Sequence, residues 1–325
     1  MIEVDRPDRK TRRSRGKSDP VDAEAAARAV IAGTATATPK RRDGHVEAIR
    51  ALHVVSRTAV KDRTRAINQF KALTLTAPET VRQRLNGLTL TQQVSRASRW
   101  SAGSDDVVVA ATRTALRELA RRIVDCNAVH ARLETQLRDL IDQTAPALLD
   151  VHGVGVDTAA RLLVTAGDNP DRLRSEAAFA HLCGVSPLPA SSGRITRHRL
   201  NRNGDRSANH ALWRIAMVRQ THDARTRAYV ARRRAQGRTD REIMRCLKRY
   251  IAREIHRVLT RPPQPAPRAH EIRTLRLQAG LPQRVVANAI GVPIVRLSEA
   301  ERGAKSNLQI RHAAHHWLTN RLDTP

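Results

Sequence analysis

Apolar positions recur every three or four residues through most of the chain, which is the period of one helix face. From residue 43 to about 75 they fall at Val46, Ile49, Leu52, Val60, Ile67, Phe70 and Leu73, with Arg and Lys filling the other side. A second such stretch, from about 105 to 143, carries Leu116, Leu119, Ile123, Leu133, Leu137 and Ile141 on its stripe. Two long amphipathic helices joined by an irregular segment predict an antiparallel helical hairpin or coiled-coil arm, an element that usually mediates subunit contacts. Shorter helices are predicted over AEAAARAVIAG, which stops at Gly33, and over 207–219 and 240–259. The fold class this pattern implies is mainly α.

Two stretches break the periodicity in informative ways. LLDVHGVGVDTAARLLVTAGD, from residue 148, sets a Gly-x-Gly turn between two short helical runs, as in helix-hairpin-helix modules that grip a DNA backbone. Such a turn is expected to leave the Gly153 and Gly155 amides at a helix N-terminus to receive a phosphate. Residues 179–199 then read as a short helix followed by a Ser/Pro/Gly loop flanked by basic residues. The run PPQPAP after residue 261 marks a domain boundary. Beyond it, IRTLRLQAGL, PQRVVANAI, a turn at Gly291 and PIVRLSEAERG follow the order of a repressor-type helix-turn-helix. In that pattern Gln283 opens the second helix, where a side chain often touches DNA. Pro293, Ile294 and Val295 stand where base-reading side chains are expected, which leaves Arg296 and Ser298 as contacts.

Charge narrows the function. The 325 residues carry 59 Lys plus Arg against 31 Asp plus Glu, a formal net charge of +28 spread over most of the length, so a polyanion, and nucleic acid first of all, is the expected partner. Aromatics make up only 2% of the chain, so its cores must be built from Ala, Leu, Val and Ile. Cys126, Cys183 and Cys246 are far apart and lack CxxC spacing, which indicates neither a disulfide framework nor a zinc site. No apolar run approaches the roughly 18 residues of a membrane span. A cytoplasmic, nucleoid-associated protein is the expectation.

Candidate chemistry sits in two places. Asp19 and Asp22, spaced i, i+3, can converge on one divalent metal, as paired acids do in two-metal nucleases. The bland alternative makes Asp19 an N-cap with Pro20 at the first helical position and Asp22 a favourable charge in the first turn. Ser191-Ser192-Gly193 lies among Arg194, Arg197, His198, Arg199 and Arg202, whose guanidiniums could neutralise charge on a phosphorus under attack. Against that, Ser-Ser-Gly is ordinary turn composition. His152, His181, His210 and His222 show no metal-ligand spacing and read as ordinary polar positions. The basic cluster 232–241 is read as contacting phosphate rather than as a merely solvated face.

Together KSDPVDAEAAARAV, LLDVHGVGVDTAARLL and GVSPLPASSGRITRHRLNRNGDRSANHAL, in this order and separated by a helical arm, resemble the insertion-sequence transposases of the IS-one-ten type, relatives of the Piv-like DNA invertases. The resemblance covers roughly residues 1–260. It implies a RuvC-like ribonuclease-H fold with four metal-binding acids, Asp, Glu, Asp and Asp, joined through a coiled coil to a domain with a nucleophilic serine. Asp19 and Asp22 match the third and fourth acids, and Ser192 matches the nucleophile, with Ser191 its alternative. The resemblance further implies Mg²⁺ at the acids, a covalent phosphoserine link to DNA, dimers or tetramers that pair one subunit's acids with another's serine, and in some members a bridge RNA as guide.

Two departures follow. Only 18 residues precede Asp19, and Glu3, Asp5 and Asp8 lie in a Pro- and Arg-rich stretch without an apolar strand pattern, so the chain is expected to lack most of a RuvC-like domain. The C-terminal helix-turn-helix is an addition to the usual architecture. The expected organisation is a RuvC-like remnant over 1–35, a helical arm over 36–147, a transposase domain over 148–261, a linker over 262–269 and a helix-turn-helix module over 270–325. The expected function is that of a transposase or site-specific recombinase, incomplete as given. The rival is a non-catalytic DNA-binding remnant or regulator, and a basic chromatin-like protein ranks last.

Overall fold

The structure, a computed structural model, describes residues 2–4, 16, 18–101, 103, 106–169, 173–189, 198–199, 201, 204–260, 267, 269–302 and 308–322. It is mainly helical, and the chain divides into two compact units, one formed by 48–143 and the other by 1–47 with 144–325. The first helix, α1 (Asp19–Ile31), buries none of its residues. Ile31 at its end is 85% exposed.

The unit 48–143 is built on two long helices, α2 (His45–Leu75) and α5 (Val107–Thr144). Ser56 hydrogen-bonds His130 at 3.0 Å and Arg63 donates to Asn127 at 3.0 Å, so the two helices run antiparallel, as the stripe pattern predicts. The segment between them is not irregular, which corrects the sequence expectation. It holds α3 (Glu79–Leu85) and α4 (Leu90–Ala97), and Val81, Leu85, Val94 and Ala97 bury against Phe70, Leu116, Ala120 and Ile123. These helices are too short to show a period in the sequence. Reciprocal capping between Thr89 and Gln92 starts α4 where propensity alone would not.

In the other unit, residues 36–46 are pinned by side-chain bonds. Arg174 donates to the Thr36 carbonyl (3.0 Å), Asn169 to Pro39 (3.0 Å), and Lys40 to Val164 (2.6 Å). The Val46 amide at the start of α2 donates to Asp168 at 2.9 Å. Six helices follow: α6 (Ala147–Asp150), α7 (Val156–Ala166), α8 (Glu176–Leu182), α9 (Arg206–His222), α10 (Ala224–Ala235) and α11 (Asp240–Thr260). At the centre is α9, packed on α7 and on α11. Its buried face is Ala208, Ala211, Leu212, Ile215 and Ala216, and α7 answers with Ala159, Ala160, Leu162, Leu163 and Ala166. Small side chains let the helix backbones approach closely, which is how a chain poor in aromatics fills its interior.

The C-terminal helices are α12 (Ala269–Gln278), α13 (Gln283–Ala289), α14 (Ile294–Glu301) and α15 (Leu308–Leu322), the last of which the sequence pattern did not single out. Ile272, Val286, Ala287, Leu297, Ala314 and Leu318 form their core. A buried ion pair crosses it, with Arg276 bonded to both carboxylate oxygens of Glu301 at 2.6 and 3.1 Å. The guanidinium also donates to the Leu281 carbonyl at 2.9 Å. Replacing Arg276 by Ala strands a buried carboxylate and is expected to cost about 3–5 kcal/mol. Urea denaturation followed by circular dichroism checks this, and an unchanged midpoint contradicts it.

Candidate active site

The serine loop leaves and returns through a braced base. Two-residue strands β1 (Leu188–Pro189) and β2 (His198–Arg199) pair antiparallel, Leu188 opposite Arg199 and Pro189 opposite His198. Just beyond, the Asp205 amide donates to the Leu182 carbonyl at 2.7 Å. Gly204, at φ +99°, lies so close to the chain ahead of the loop that a Cβ there would sit 2.6 Å from the Gly184 nitrogen. Only glycine fits both the backbone angle and the gap.

Side chains then lock this base to the core. Asn209, one turn into α9, donates to the carbonyls of Cys183 (3.1 Å) and Gly184 (3.0 Å). Its own carbonyl oxygen accepts from the buried Lys248 of α11 at 2.9 Å. Burial holds the Lys248 ammonium below its usual range, with Arg245 adding to the effect. Asp205 caps α9 by accepting from the Ser207 (2.6 Å) and Ala208 (3.2 Å) amides, and it accepts from the Thr165 hydroxyl of α7 at 2.9 Å. Asn201, 5% exposed, lies 3.5 Å from His181. Burial, with the nearby Asp205 charge, pushes the Cys183 thiol up, which keeps it protonated and unreactive.

Sequence reasoning missed Asn209, Lys248, Asp205 and Asn201. Nothing in a basic helical segment distinguishes the one lysine that turns inward.

The predicted residues distribute as follows. Ser191, Ser192, Arg194 and Arg197 lie outside the described residues; for Arg199 the β2 backbone pairing is described. Asp19 is not the N-cap of α1, which corrects the bland reading: Ser18 holds that position, makes no side-chain cap bond, and Asp19 is the first helical residue. Asp19 is exposed and Asp22 half-buried. Among the described residues no three His, Cys, Asp or Glu converge as a metal group. In the leader, the Glu3 amide donates to the Ala37 carbonyl at 2.8 Å in an isolated antiparallel bridge.

At the Gly-x-Gly turn, the Gly155 amide is committed to the Thr158 hydroxyl at 2.9 Å, so the expected pair of free amides is corrected. Gly153, at φ +84°, backs onto α9, where a Cβ would meet the Ile215 carbonyl at 3.3 Å. Arg219 of α9 donates to the His152 carbonyl at 2.8 Å, so the turn is tied to the core. Gln283 is likewise drawn inward, donating to Glu301 at 2.7 Å, which corrects its reading as a free DNA-contacting side chain. Arg296 is exposed and 3.7 Å from Glu299, and Ser298 is half-buried.

Against known proteins, the region around the serine loop matches a family model described as Transposase IS116/IS110/IS902 family, over residues 145–231. Residues 2–77 match a second model, the DEDD transposase of IS110 elements, and together the two take in half of the chain. The chain belongs to the IS116/IS110/IS902 transposase family. A curated relative in this family, an uncharacterized 43.6 kDa protein of insertion element IS110 from Streptomyces coelicolor, is 33% identical over 153 residues. That stretch is 45% of this chain and 35% of the relative, so the match spans about a third of the relative's length. Both family matches lie N-terminal to the helices from α12 onward.

Two predictions follow from the braced base. Gly204→Ala is expected to destabilise by about 1–3 kcal/mol through backbone strain and clash, read as a lower thermal midpoint. The second concerns Glu176, whose carboxyl burial pushes up but whose bonds to Arg253 (2.9 Å) and Arg249 (2.5 Å) bring below its ordinary value. A lowered carboxylate stabilises the fold above its unfolded pKa and loses that contribution as pH falls through the lowered value. Glu176→Gln therefore lowers stability at neutral pH and flattens the acid limb of the stability curve, measured by melting from pH 7 to 3.

Proposed function

We propose that the chain acts in DNA transposition, cutting and rejoining DNA through a serine nucleophile. The observation that carries this is the braced loop base: Asn209, Lys248, Gly204 and Asp205 hold both ends of the serine-bearing segment to the family-matched domain. Rigid support of this kind is what a nucleophile on a loop needs for attack geometry. Ser192 Oγ attacks a backbone phosphorus, and a P–O bond to the deoxyribose oxygen breaks as that oxygen takes a proton. A second strand's hydroxyl reverses the step and releases the serine. Arg194, Arg197 and Arg199 neutralise charge on the phosphoryl oxygens.

Asp19 and Asp22 are the carboxylates this chain offers to Mg²⁺. One or two carboxylates plus phosphate oxygens and water are a usual donor set for that ion, so the pair fits it in the presence of DNA. When bound, the ion supplies charge neutralisation at a phosphate. The DEDD match and the Glu3–Ala37 bridge favour reading 1–35 as part of a RuvC-like domain, and the unburied α1 favours a further covering layer. The arm over 36–147 is the proposed coiled-coil contact between subunits of a dimer or tetramer, and 148–261 is the proposed transposase domain with its helix-hairpin-helix. Beyond the 262–269 linker, the module 270–325 is proposed to bind DNA through Arg296 and Ser298. A bridge RNA as guide, and a cytoplasmic, nucleoid-associated location, belong to the same reading. No helix among the described residues is long and apolar enough to cross a membrane.

The second reading, a DNA-binding regulator without cleavage, is favoured by one observation: beyond the family-matched residues the chain carries a four-helix module with its own core.

Ser192→Ala in the full chain is expected to abolish a covalent protein–DNA adduct on denaturing gels while leaving DNA binding intact. Persistence of the adduct removes Ser192 from the role, and Ser191→Ala then tests its neighbour. Asp19→Asn and Asp22→Asn are expected to remove Mg²⁺-dependent cleavage while leaving DNA binding intact. Normal cleavage by both variants ends the metal assignment. Affinity for duplex DNA falls steeply with salt if many phosphates are contacted, and a flat response contradicts DNA as the partner.

A further inference from the structure

Helix α11 carries arginine at every fourth position, Arg241, Arg245, Arg249, Arg253 and Arg257. At 1.5 Å and 100° per residue each arginine lies about 6 Å further along the axis and about 40° further round it, so the row winds about 160° from Arg241 to Arg257, and its C-terminal end, Arg253 and Arg257, is the part that shares a face with Tyr250. The rotation of the helix is fixed by its opposite face, where Ile243, Leu247, Ile251 and Ile255 are buried in the core. Like charges four residues apart repel, so the ridge is held at a cost unless anions lie on it.

The acids of α11 are mostly committed elsewhere. Asp240 pairs with Arg234 at 2.7 Å and Glu254 with Arg219 at 2.8 Å, both off the ridge, while Glu242 pairs with Arg238 at 3.6 Å and also feels the charge of Arg245. From a neighbouring helix, Glu176 bonds Arg249 and Arg253 and so serves two of the five. Arg241, Arg245 and Arg257 are exposed.

Beside this ridge stand both tyrosines of the chain. Tyr229 of α10 and Tyr250 of α11 meet edge to face at 5.9 Å, with an interplanar angle of 89°. Arg232 lies over the Tyr229 ring at 5.7 Å and Arg253 over the Tyr250 ring at 5.9 Å. Tyr250 is 52% exposed although it is large and aromatic. Burial, with Cys246 adding, pushes the Tyr229 phenol up to about 12, so that ring is neutral and does not repel phosphate. A row of guanidiniums beside an exposed aromatic ring is how proteins take up unpaired nucleic acid: cations follow the backbone and a base stacks on the ring. Duplex DNA, whose bases are already stacked, can use only the cations.

We propose that Tyr250 and Tyr229, with Arg232 of α10 and Arg257 at the end of the α11 row, form a binding surface for unpaired nucleotides, with a base stacked on Tyr250 and phosphates on Arg232 and Arg257. Helix α11 lies outside both family-matched segments and Tyr229 lies near the end of one of them, and the proposal does not depend on Ser192.

The test uses the full chain and fluorescein-labelled 20-mers of oligo(dT) and oligo(rU) and a duplex of equal length, titrated by fluorescence anisotropy at several salt concentrations. Tyr250→Leu is expected to weaken single-strand binding about tenfold and duplex binding less than twofold, while Tyr250→Phe keeps wild-type affinity. Arg232→Ala and Arg257→Ala are expected to weaken all three probes and each to reduce the salt slope by about one. Equal losses on oligo(dT) and oligo(rU) support a site that reads base and phosphate alone, and a loss confined to one probe supports the site and assigns its source. Tyr250→Leu binding single strands like wild type, or losing duplex and single strand equally with an unchanged melting curve, would overturn the proposal. If Tyr250→Leu lowers the melting temperature, Tyr250→His keeps a flat ring on the same helix, and its loss of single-strand affinity at wild-type duplex affinity also overturns the stacking role.

Discussion

One amide side chain joins the three parts that a serine loop needs. Asn209 holds the Cys183 and Gly184 carbonyls where the chain enters the loop, it rides on the central helix α9, and it is itself held by Lys248 from α11. Those carbonyls lie past the last turn of α8, where helical partners run out, so Asn209 satisfies backbone that would otherwise be stranded in a buried place. The close passage of Gly204 over Gly184 depends on the same register, since a slip of either strand end would bring Cβ atoms into the gap. A lysine is a costly choice for such a position because burial disfavours its charge. Its value is reach: a long stem from α11 brings one hydrogen-bond donor to a point between two other helices.

The charge of the chain sets the second constraint. A net +28 on 325 residues repels itself, and the structure disposes of it in two ways. Some arginines are used inside the fold, such as Arg276 on Glu301, Arg219 on Glu254 and His152, and Arg249 and Arg253 on Glu176. The rest stand outward on helix faces whose opposite sides are apolar and buried, as on α11. A basic surface organised by core packing presents its cations in rows, and rows suit a polyanion better than scattered charge does.

Residues 2–47 of one family-matched segment and all of the other fall in one compact unit, where the strap 36–46 is bonded to the end of α7 and to the residues that follow it. This arrangement lets α2 leave for the arm while its first turn stays anchored on Asp168.

The sequence by itself determined the helical class, the two long amphipathic helices and the family, because each is carried by a period or by a contiguous motif. Periodicity also placed Leu116, Ile123, Leu137 and Ile141 inside. It could not reveal α3 and α4, whose seven and eight residues give too few turns to show a stripe. Nor could it separate residues that look alike in composition. Gly155 and Gln283 suit a nucleic-acid contact by motif, but their polar atoms are taken by Thr158 and Glu301. Asp19 suits an N-cap by its place before Pro20, but the helix begins one residue earlier. Lys248 looks like any other basic residue until the burial of Leu247 and Ile251 turns it toward Asn209. Which donor meets which acceptor depends on how helices far apart in the chain rotate against one another, and that rotation is set by side-chain packing in three dimensions.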